Sequence, residues 1–238
     1  MQYVRIFLIA LVLCTKSSHP AYADEKEGGV EKCVALTFDD GPDRVLTPRL
    51  LTILRERGVR ATFYLVGSRV VHMPTIVADI QRDDHEIGNH SWDHQNLTKV
   101  PPAALKRQIE MTDNAIAAIT GAMPRTIRPP YGALDKRMLN AFPQRLFVLW
   151  DVDTLDWRYR SPSWIKKAAV SGIQNQSIIL MHDIHATTIT AVPEVINEMK
   201  SLGYRFATVS ELYEGRCGRS KVLKNPPKGR RVSFISCL

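Results

Sequence analysis

The sequence lacks most of what would assign it to the common non-enzymatic classes. Its one long apolar run, Ile6 to Cys14, is nine residues, and a membrane-spanning helix needs about 20. There is no internal repeat, no low-complexity stretch and no nucleic-acid-binding motif, which argues against solenoids, flexible linkers and DNA or RNA readers. No serine or cysteine nucleophile motif is present, so a covalent acyl-enzyme route is not indicated. Cysteine is scarce at four residues, and its spacing does not suggest a metal site. Acidic residues are missing from both ends. Residues 1–23 hold two basic and no acidic side chains. Residues 216–238 hold seven basic ones (Arg216, Arg219, Lys221, Lys224, Lys228, Arg230 and Arg231) and again no acid. The net charge of +8 and pI near 9.4 therefore belong to the ends, and residues 24–215 carry a charge near −1.

What is present fits a globular domain: 238 residues, 45% apolar and 8% aromatic, enough for one sizeable core. Met1 to Arg5 is a short positive start to the apolar run, and Ala21-Tyr22-Ala23 supplies a small-x-small cleavage pattern. Together they predict a signal peptide over residues 1–23, removed after Ala23. A lipoprotein site at Cys14 is disfavoured because bulky Leu13 precedes it. Removal leaves Cys33, Cys217 and Cys237, an odd number that allows one disulfide at most and leaves one thiol. Cys217 with Cys237 and Cys33 with Cys217 are both open. The basic tail, residues 216–238, is either a solvated end or a contact to an anionic envelope surface.

Between residues 30 and 213, apolar runs alternate with helical patterns. Strands are expected at 34–38, 61–66, 85–88, 125–128, 145–150, 177–181 and 205–209. Helices are expected near 47–57, 69–82, 101–119, 133–141, 163–172, 189–201, with Pro48 and Pro101-Pro102 in first turns and Gly58, Gly121 and Gly203 at ends. This alternation predicts one α/β domain with a barrel-like or open parallel sheet of about seven strand-helix units. In such folds functional side chains gather where strands end.

Unusual polar residues do fall there. Thr37-Phe38-Asp39-Asp40-Gly41-Pro42 ends the first strand with two adjacent carboxylates, whose opposite directions allow one to hold a cation while the other faces a reacting group. Asn89-His90-Ser91-Trp92-Asp93-His94 follows the third. If helical, it would place both imidazoles on one face, and with Asp40 they make a three-ligand set with open positions, for which Zn²⁺ is the first choice. Arg128-Pro129-Pro130-Tyr131-Gly132 follows the fourth, a rigid loop able to present a main-chain N–H to an oxyanion. Trp150 to Trp157 packs Asp151, Asp153 and Asp156 between two tryptophans, either core or the paving of a sugar groove. Ile178-Ile179-Leu180-Met181-His182-Asp183 ends an apolar strand on a histidine suited to general-acid work.

These five motifs, in this order over roughly residues 30–213, resemble those of the polysaccharide deacetylases, the carbohydrate esterase family that includes the nodulation-protein deacetylase domain. The resemblance implies a distorted (β/α) barrel. It implies Asp39 as catalytic base, oriented by Arg128; Asp40, His90 and His94 as metal ligands; and the Tyr131 N–H as oxyanion donor. It further implies His182 as general acid tuned by Asp156, with Trp157 walling the pocket and Leu180 lining the acetyl site. Asp84, before His85, departs from the glycine common there and reads as a turn position. The expected activity is metal-dependent release of acetate from N-acetylglucosamine-containing glycan, peptidoglycan ahead of chitin oligosaccharides. Zn²⁺ is the expected ion, with Co²⁺ or Ni²⁺ as alternatives, in a secreted or periplasmic, envelope-associated protein. The rival expectations are O-acetyl ester hydrolysis on xylan-type glycan and a noncatalytic glycan-binding protein acting through its tail.

Overall fold

The computed structural model describes residues 31–217. The expected signal peptide, Cys237 and nearly all of the basic tail lie outside the described residues. Among the described residues eight strands and eight α-helices follow in order: β1 Lys32–Asp39, α1 Leu46–Glu56, β2 Thr62–Leu65, α2 Gly67–His72, α3 Pro74–Arg82, β3 Glu86–Asn89, α4 Pro102–Thr120, β4 Thr126–Ile127, α5 Lys136–Ala141, β5 Leu146–Phe147, β6 Val152–Asp153, α6 Pro162–Val170, β7 Ser177–His182, α7 Ala186–Ser201, β8 Tyr204–Phe206 and α8 Val209–Tyr213.

All strand pairs are parallel, and the path runs β5-β4-β3-β2-β1-β7-β6. Val34 is in register with both Ser177 of β7 and Phe206 of β8, so β8 lies on the other side of β1, in line with β2. The two ends of the path, β5 and β6, are separated in the chain by only residues 148–151. One segment therefore leaves β4 and reaches β7, and it curls the sheet into a distorted (β/α) barrel.

Alternation along β1 sorts its side chains into two layers. Val34, Leu36 and Phe38 join Phe63, Ile179 and Met181 against Leu50, Leu54, Val192 and Val195 of the helices. Cys33 and Ala35 take the other side with Tyr64, Val148 and Ile178, and the same row continues into Thr37 and Asp39. Polar groups at the strand's end are thus aimed into the barrel by the pattern that builds its outer core.

Several sequence expectations are corrected. The helix expected over 69–82 is two helices, because Pro74 lacks the N–H needed to continue α2 and starts α3 instead. The strand expected over 145–150 is strand at Leu146–Phe147, with Val148 N still donating to the Ile127 carbonyl; the chain then crosses to β6, which the sequence reading does not contain. The strand expected over 205–209 ends at Phe206, and Val209 instead opens α8, where Thr208 and Glu211 form a capping box. The helix expected from residue 47 begins at Leu46. Asp43 accepts from the N–H groups of Val45 and Leu46, while Thr47 is buried. Of the two open disulfide pairings, Cys33–Cys217 is formed, with Cα atoms 6.0 Å apart.

Candidate active site

The deepest layer is an ion pair. Asp39, 2% exposed, closes the inward row of β1, and Arg128, fully buried, enters from the end of β4. Arg128 Nη1 donates to Asp39 Oδ1 and to Thr37 Oγ1, both at 2.7 Å, and Nη2 donates to the Leu149 carbonyl at 2.9 Å. The guanidinium carbon lies 4.2 Å from the centre of the Tyr64 ring. Thr37 donates its own hydrogen to the Ile179 carbonyl, so its lone pairs face the arginine. A buried ion pair is tolerable only when the remaining donors are also satisfied, and here four contacts fix the guanidinium and therefore Asp39.

Asp40 turns away from Asp39 through a left-handed backbone, φ 73°. Its Oδ1 lies 3.3 Å from His90 Nε2 and 3.2 Å from His94 Nε2. The ligand atoms of all three residues fall within 4.8 Å of one another. The histidines do not converge on a helix, as the four-residue spacing suggested. Residues 90–94 form an irregular loop in which Ser91 and His94 have φ of 65° and 62°. Asn89 pins that loop: its Oδ1 accepts from Ser91 N at 2.8 Å, and its Nδ2 donates to Asp113 at 2.7 Å and to the Ile109 carbonyl at 2.9 Å. Gln108 of α4 accepts the Trp92 N–H.

His90 Nδ1 lies 2.7 Å from the Arg128 carbonyl. A carbonyl only accepts, so Nδ1 carries the hydrogen and Nε2 is the nitrogen turned toward Asp40. Asp40 Oδ1 is buried without a hydrogen-bond partner. Burial opposes ionisation of Asp40, yet the neighbouring His90, and more weakly His182 and His94, hold it below the usual carboxylate range. Burial, then His90, depresses the basicity of His94. An anionic oxygen and two imidazole lone pairs converge on one point, so a proton or a cation has to sit among them. The donor set of one carboxylate and two imidazoles fits a divalent metal with open positions.

His182 ends β7 in register with Asp39. Its Nδ1 bonds to Asp156 Oδ1 at 2.7 Å, while Asp156 Oδ2 accepts from His182 N at 2.8 Å and Thr188 Oγ1 at 2.6 Å. Burial works against the imidazolium, but the Asp156 hydrogen bond and charge, aided by Asp39 and Asp40, outweigh it and raise His182 to about 9. Asp156 is lowered in turn: burial disfavours its charge, and His182 and Thr188 more than offset that. This is how a histidine is kept charged and ready to give up a proton.

The remaining expected residues surround this centre. Tyr131, 67% exposed and at φ 61°, sits on the short turn Pro130–Gly132 with its ring 4.7 Å from His94. Leu180 is buried in β7, level with Thr37 on one side and Asp153 on the other. Trp157 follows Asp156 and is exposed. Trp150 does not pave a groove; it packs near Arg128, 5.7 Å from its guanidinium, and against Gly132. Asp84 is a turn position as expected, at φ 58°.

The sequence reading missed Thr37, Asn89 and Thr188. Thr37 is legible in retrospect, two residues before Asp39 on the inward row. Thr188, one turn into α7, carries no sequence signal. It also missed Asp183, fully buried, which accepts from Thr47 Oγ1 at 2.5 Å, has an unpartnered Oδ1, and packs so closely on Gly41 that a Cβ there would lie 2.5 Å from its Oδ2. Burial raises Asp183 to about 7.

Residues 26–144 match the protein family described as polysaccharide deacetylase. The chain is 41% identical over 182 residues to the peptidoglycan-N-acetylglucosamine deacetylase PgdA of Listeria monocytogenes serotype 1/2a (strain 10403S), covering 76% of this chain and 39% of that protein. It is 36% identical over 206 residues to the peptidoglycan-N-acetylmuramic acid deacetylase PdaC of Bacillus subtilis (strain 168), covering 84% of this chain and 43% of that one. The chain thus spans about two fifths of the length of these relatives. A solved T48 deacetylase with substrate shares the fold at a TM-score of 0.75 and 40% identity, over 78% of this chain and 92% of that one.

Proposed function

The chain belongs to the polysaccharide deacetylase family, and on that footing we propose that it is a metal-dependent hydrolase that removes N-acetyl groups from peptidoglycan and releases acetate. The observation that carries the reading is the pairing of two centres across the barrel mouth. One is an Asp40-His90-His94 group around an unpartnered carboxylate oxygen; the other is a histidine held charged by Asp156. Related proteins named for peptidoglycan favour that polymer over chitin or xylan.

An acetamide is a weak electrophile with a poor leaving group, so its hydrolysis needs an activated water, a stabilised oxyanion and a proton for the amine. A divalent cation held by Asp40, His90 and His94, Zn²⁺ by preference over Co²⁺ or Ni²⁺, would supply Lewis-acid polarisation and make a water acidic. Asp39, oriented by Arg128, takes the proton of the attacking water. The Tyr131 N–H donates to the oxyanion as the carbonyl becomes tetrahedral. His182 gives its Nε2 proton to the departing amine while Asp156 stabilises the charged ring. Leu180 and Trp157 bound the pocket that takes the acetyl group. The expected signal peptide and basic tail fit work outside the cytoplasm on an anionic wall polymer.

The test is acetate release by the chain, metal-stripped and reconstituted with Zn²⁺, from peptidoglycan, N-acetylglucosamine oligomers and acetylated xylan in parallel. Metal-dependent release from peptidoglycan is expected. No release from any substrate by protein that binds metal stoichiometrically would overturn the reading.

A further inference from the structure

Directly after Asp156 the chain leaves the site through residues 157–164, and this loop concentrates exposed rings. Trp157 is 49%, Tyr159 37% and Trp164 40% exposed. None belongs to a core cluster, and the buried face of α6 is supplied by Ile165 and Ala169 instead. The Tyr159 and Trp164 rings lie side by side, centroids 4.6 Å apart at 48°.

The loop is fixed in place. Tyr159 N and Arg158 N donate to the Leu155 carbonyl at 2.8 and 3.0 Å, Arg160 Nη1 donates to the Asp156 carbonyl at 2.7 Å, and Ser161 caps α6. Arg158 stands 5.3 Å over the Tyr159 ring. Among the described residues neither Arg158 nor Arg160 is paired with a carboxylate. Exposed tryptophan and tyrosine beside a site are costly to leave in water unless something covers them. A pyranose offers a matching apolar C–H face, and unpaired guanidinium groups suit carboxylates. On the metal side of the site, Tyr131 is a further exposed ring, so aromatics flank both sides of the mouth.

We propose that Tyr159, Trp164, Arg158 and Arg160 form an accessory subsite on the His182 side of the mouth. It holds sugar rings of an acidic glycan strand beyond the residue being deacetylated. The subsite deepens the proposed function and rests on it. Its measure is the ratio of kcat/KM on polymeric peptidoglycan strands to that on a chitin disaccharide, for Zn²⁺-reconstituted full chain. Tyr159→Ala/Trp164→Ala is expected to lower this ratio about tenfold, through KM, as loss of two stacking contacts predicts. Trp164→Phe, which keeps a ring, should hold it within about twofold. Arg158→Ala should lower kcat/KM on peptidoglycan but not on neutral chitin polymer. An unchanged ratio, an equal loss on both substrates, or a Trp164→Phe defect as large as that of the alanine pair would overturn the subsite. Cosedimentation of the same changes in an Asp39→Asn background with insoluble peptidoglycan reads attachment without turnover. If acetate is never released yet sedimentation falls with Tyr159→Ala/Trp164→Ala, the deacetylase reading fails and the subsite stands. If sedimentation is unchanged, the subsite fails whatever the turnover.

Discussion

Replacing Asp156 by asparagine should move the alkaline limb of the pH–rate profile and leave the architecture standing. The side chain makes three hydrogen bonds, to His182 Nδ1, His182 N and Thr188 Oγ1. Asparagine keeps the shape and loses the charge. His182 is at about 9 because Asp156 outweighs burial; without that charge, burial takes it to the ordinary histidine value of about 6.5 or below. At pH 8 the wild-type ring is then about nine-tenths protonated and the variant's about 3%, a loss of about thirtyfold in active fraction. The sign follows from the role. A general acid works protonated, so activity is lost as pH rises through its pKa, and the variant loses it at lower pH. Stability runs in parallel. The raised pKa contributes about 3 kcal/mol that is fully present below pH 6.5 and lost as pH rises through about 9. A bound cation lowers the limb in both proteins, so the difference between them is the quantity to compare. The assay is kcat/KM for acetate release from pH 5 to 10 in both proteins. A variant whose limb moves by less than about half a pH unit would refute the assignment of His182 as the acid.

Asp39→Asn should bind metal stoichiometrically yet lose about 10²- to 10⁴-fold in turnover, read by metal analysis beside acetate release; wild-type activity would exclude Asp39 as the base. Arg128→Met strands the buried Asp39 carboxylate and should cost about 3–5 kcal/mol in urea unfolding, and a cost under 1 would show that the pair is solvated in solution. Cys33→Ser opens a link across 184 residues, and the chain-entropy estimate is a loss of about 5 kcal/mol, checked by denaturation with and without reductant.

The order of elements was legible because each strand is a short apolar run bounded by turn residues, and each major helix has proline or glycine near an end. What was not legible involves competition between distant parts of the chain. Residues 145–150 read as one strand, but only their first half pairs with β4 and the unread β6 just beyond them pairs with β7, because that division is decided by closure of the sheet and not by local sequence. The His90–His94 spacing suggested a helix, but Asn89 takes the Ser91 N–H and bends the chain into left-handed turns, so His90 and His94 converge on Asp40 for another reason. Thr47 does stand in the first turn of α1, but that its hydroxyl is the partner of Asp183 across 136 residues had no local signal. The residues that the structure brings together at the barrel mouth were legible as a group, since Asp39, Asp40, His90, Arg128, Asp156 and His182 each stand near a strand end whatever the exact strand boundaries.

Charge pairing at the barrel mouth bears on which ion the site selects. Among its buried or half-buried carboxylates, Asp39 has Arg128 and Asp156 has His182. Asp183 and Asp40 have no dedicated cationic partner, and the structure treats them oppositely. Asp183 is fully buried, and burial, aided by the charges of Asp40 and Asp43, raises it toward neutrality, so a proton settles its charge. Asp40 faces two imidazoles that favour its anionic form, and His94 in turn is held below its ordinary basicity by burial. A carboxylate kept charged beside a histidine of depressed basicity is poorly served by a proton and well served by a divalent cation with nitrogen affinity. His94→Ala removes one lone pair without touching either ion pair. It should weaken Zn²⁺ binding at least about tenfold in a competition titration, while leaving the unfolding midpoint of the metal-free protein unchanged. A parallel loss of metal-free stability would mean that His94 holds the loop and not the ion.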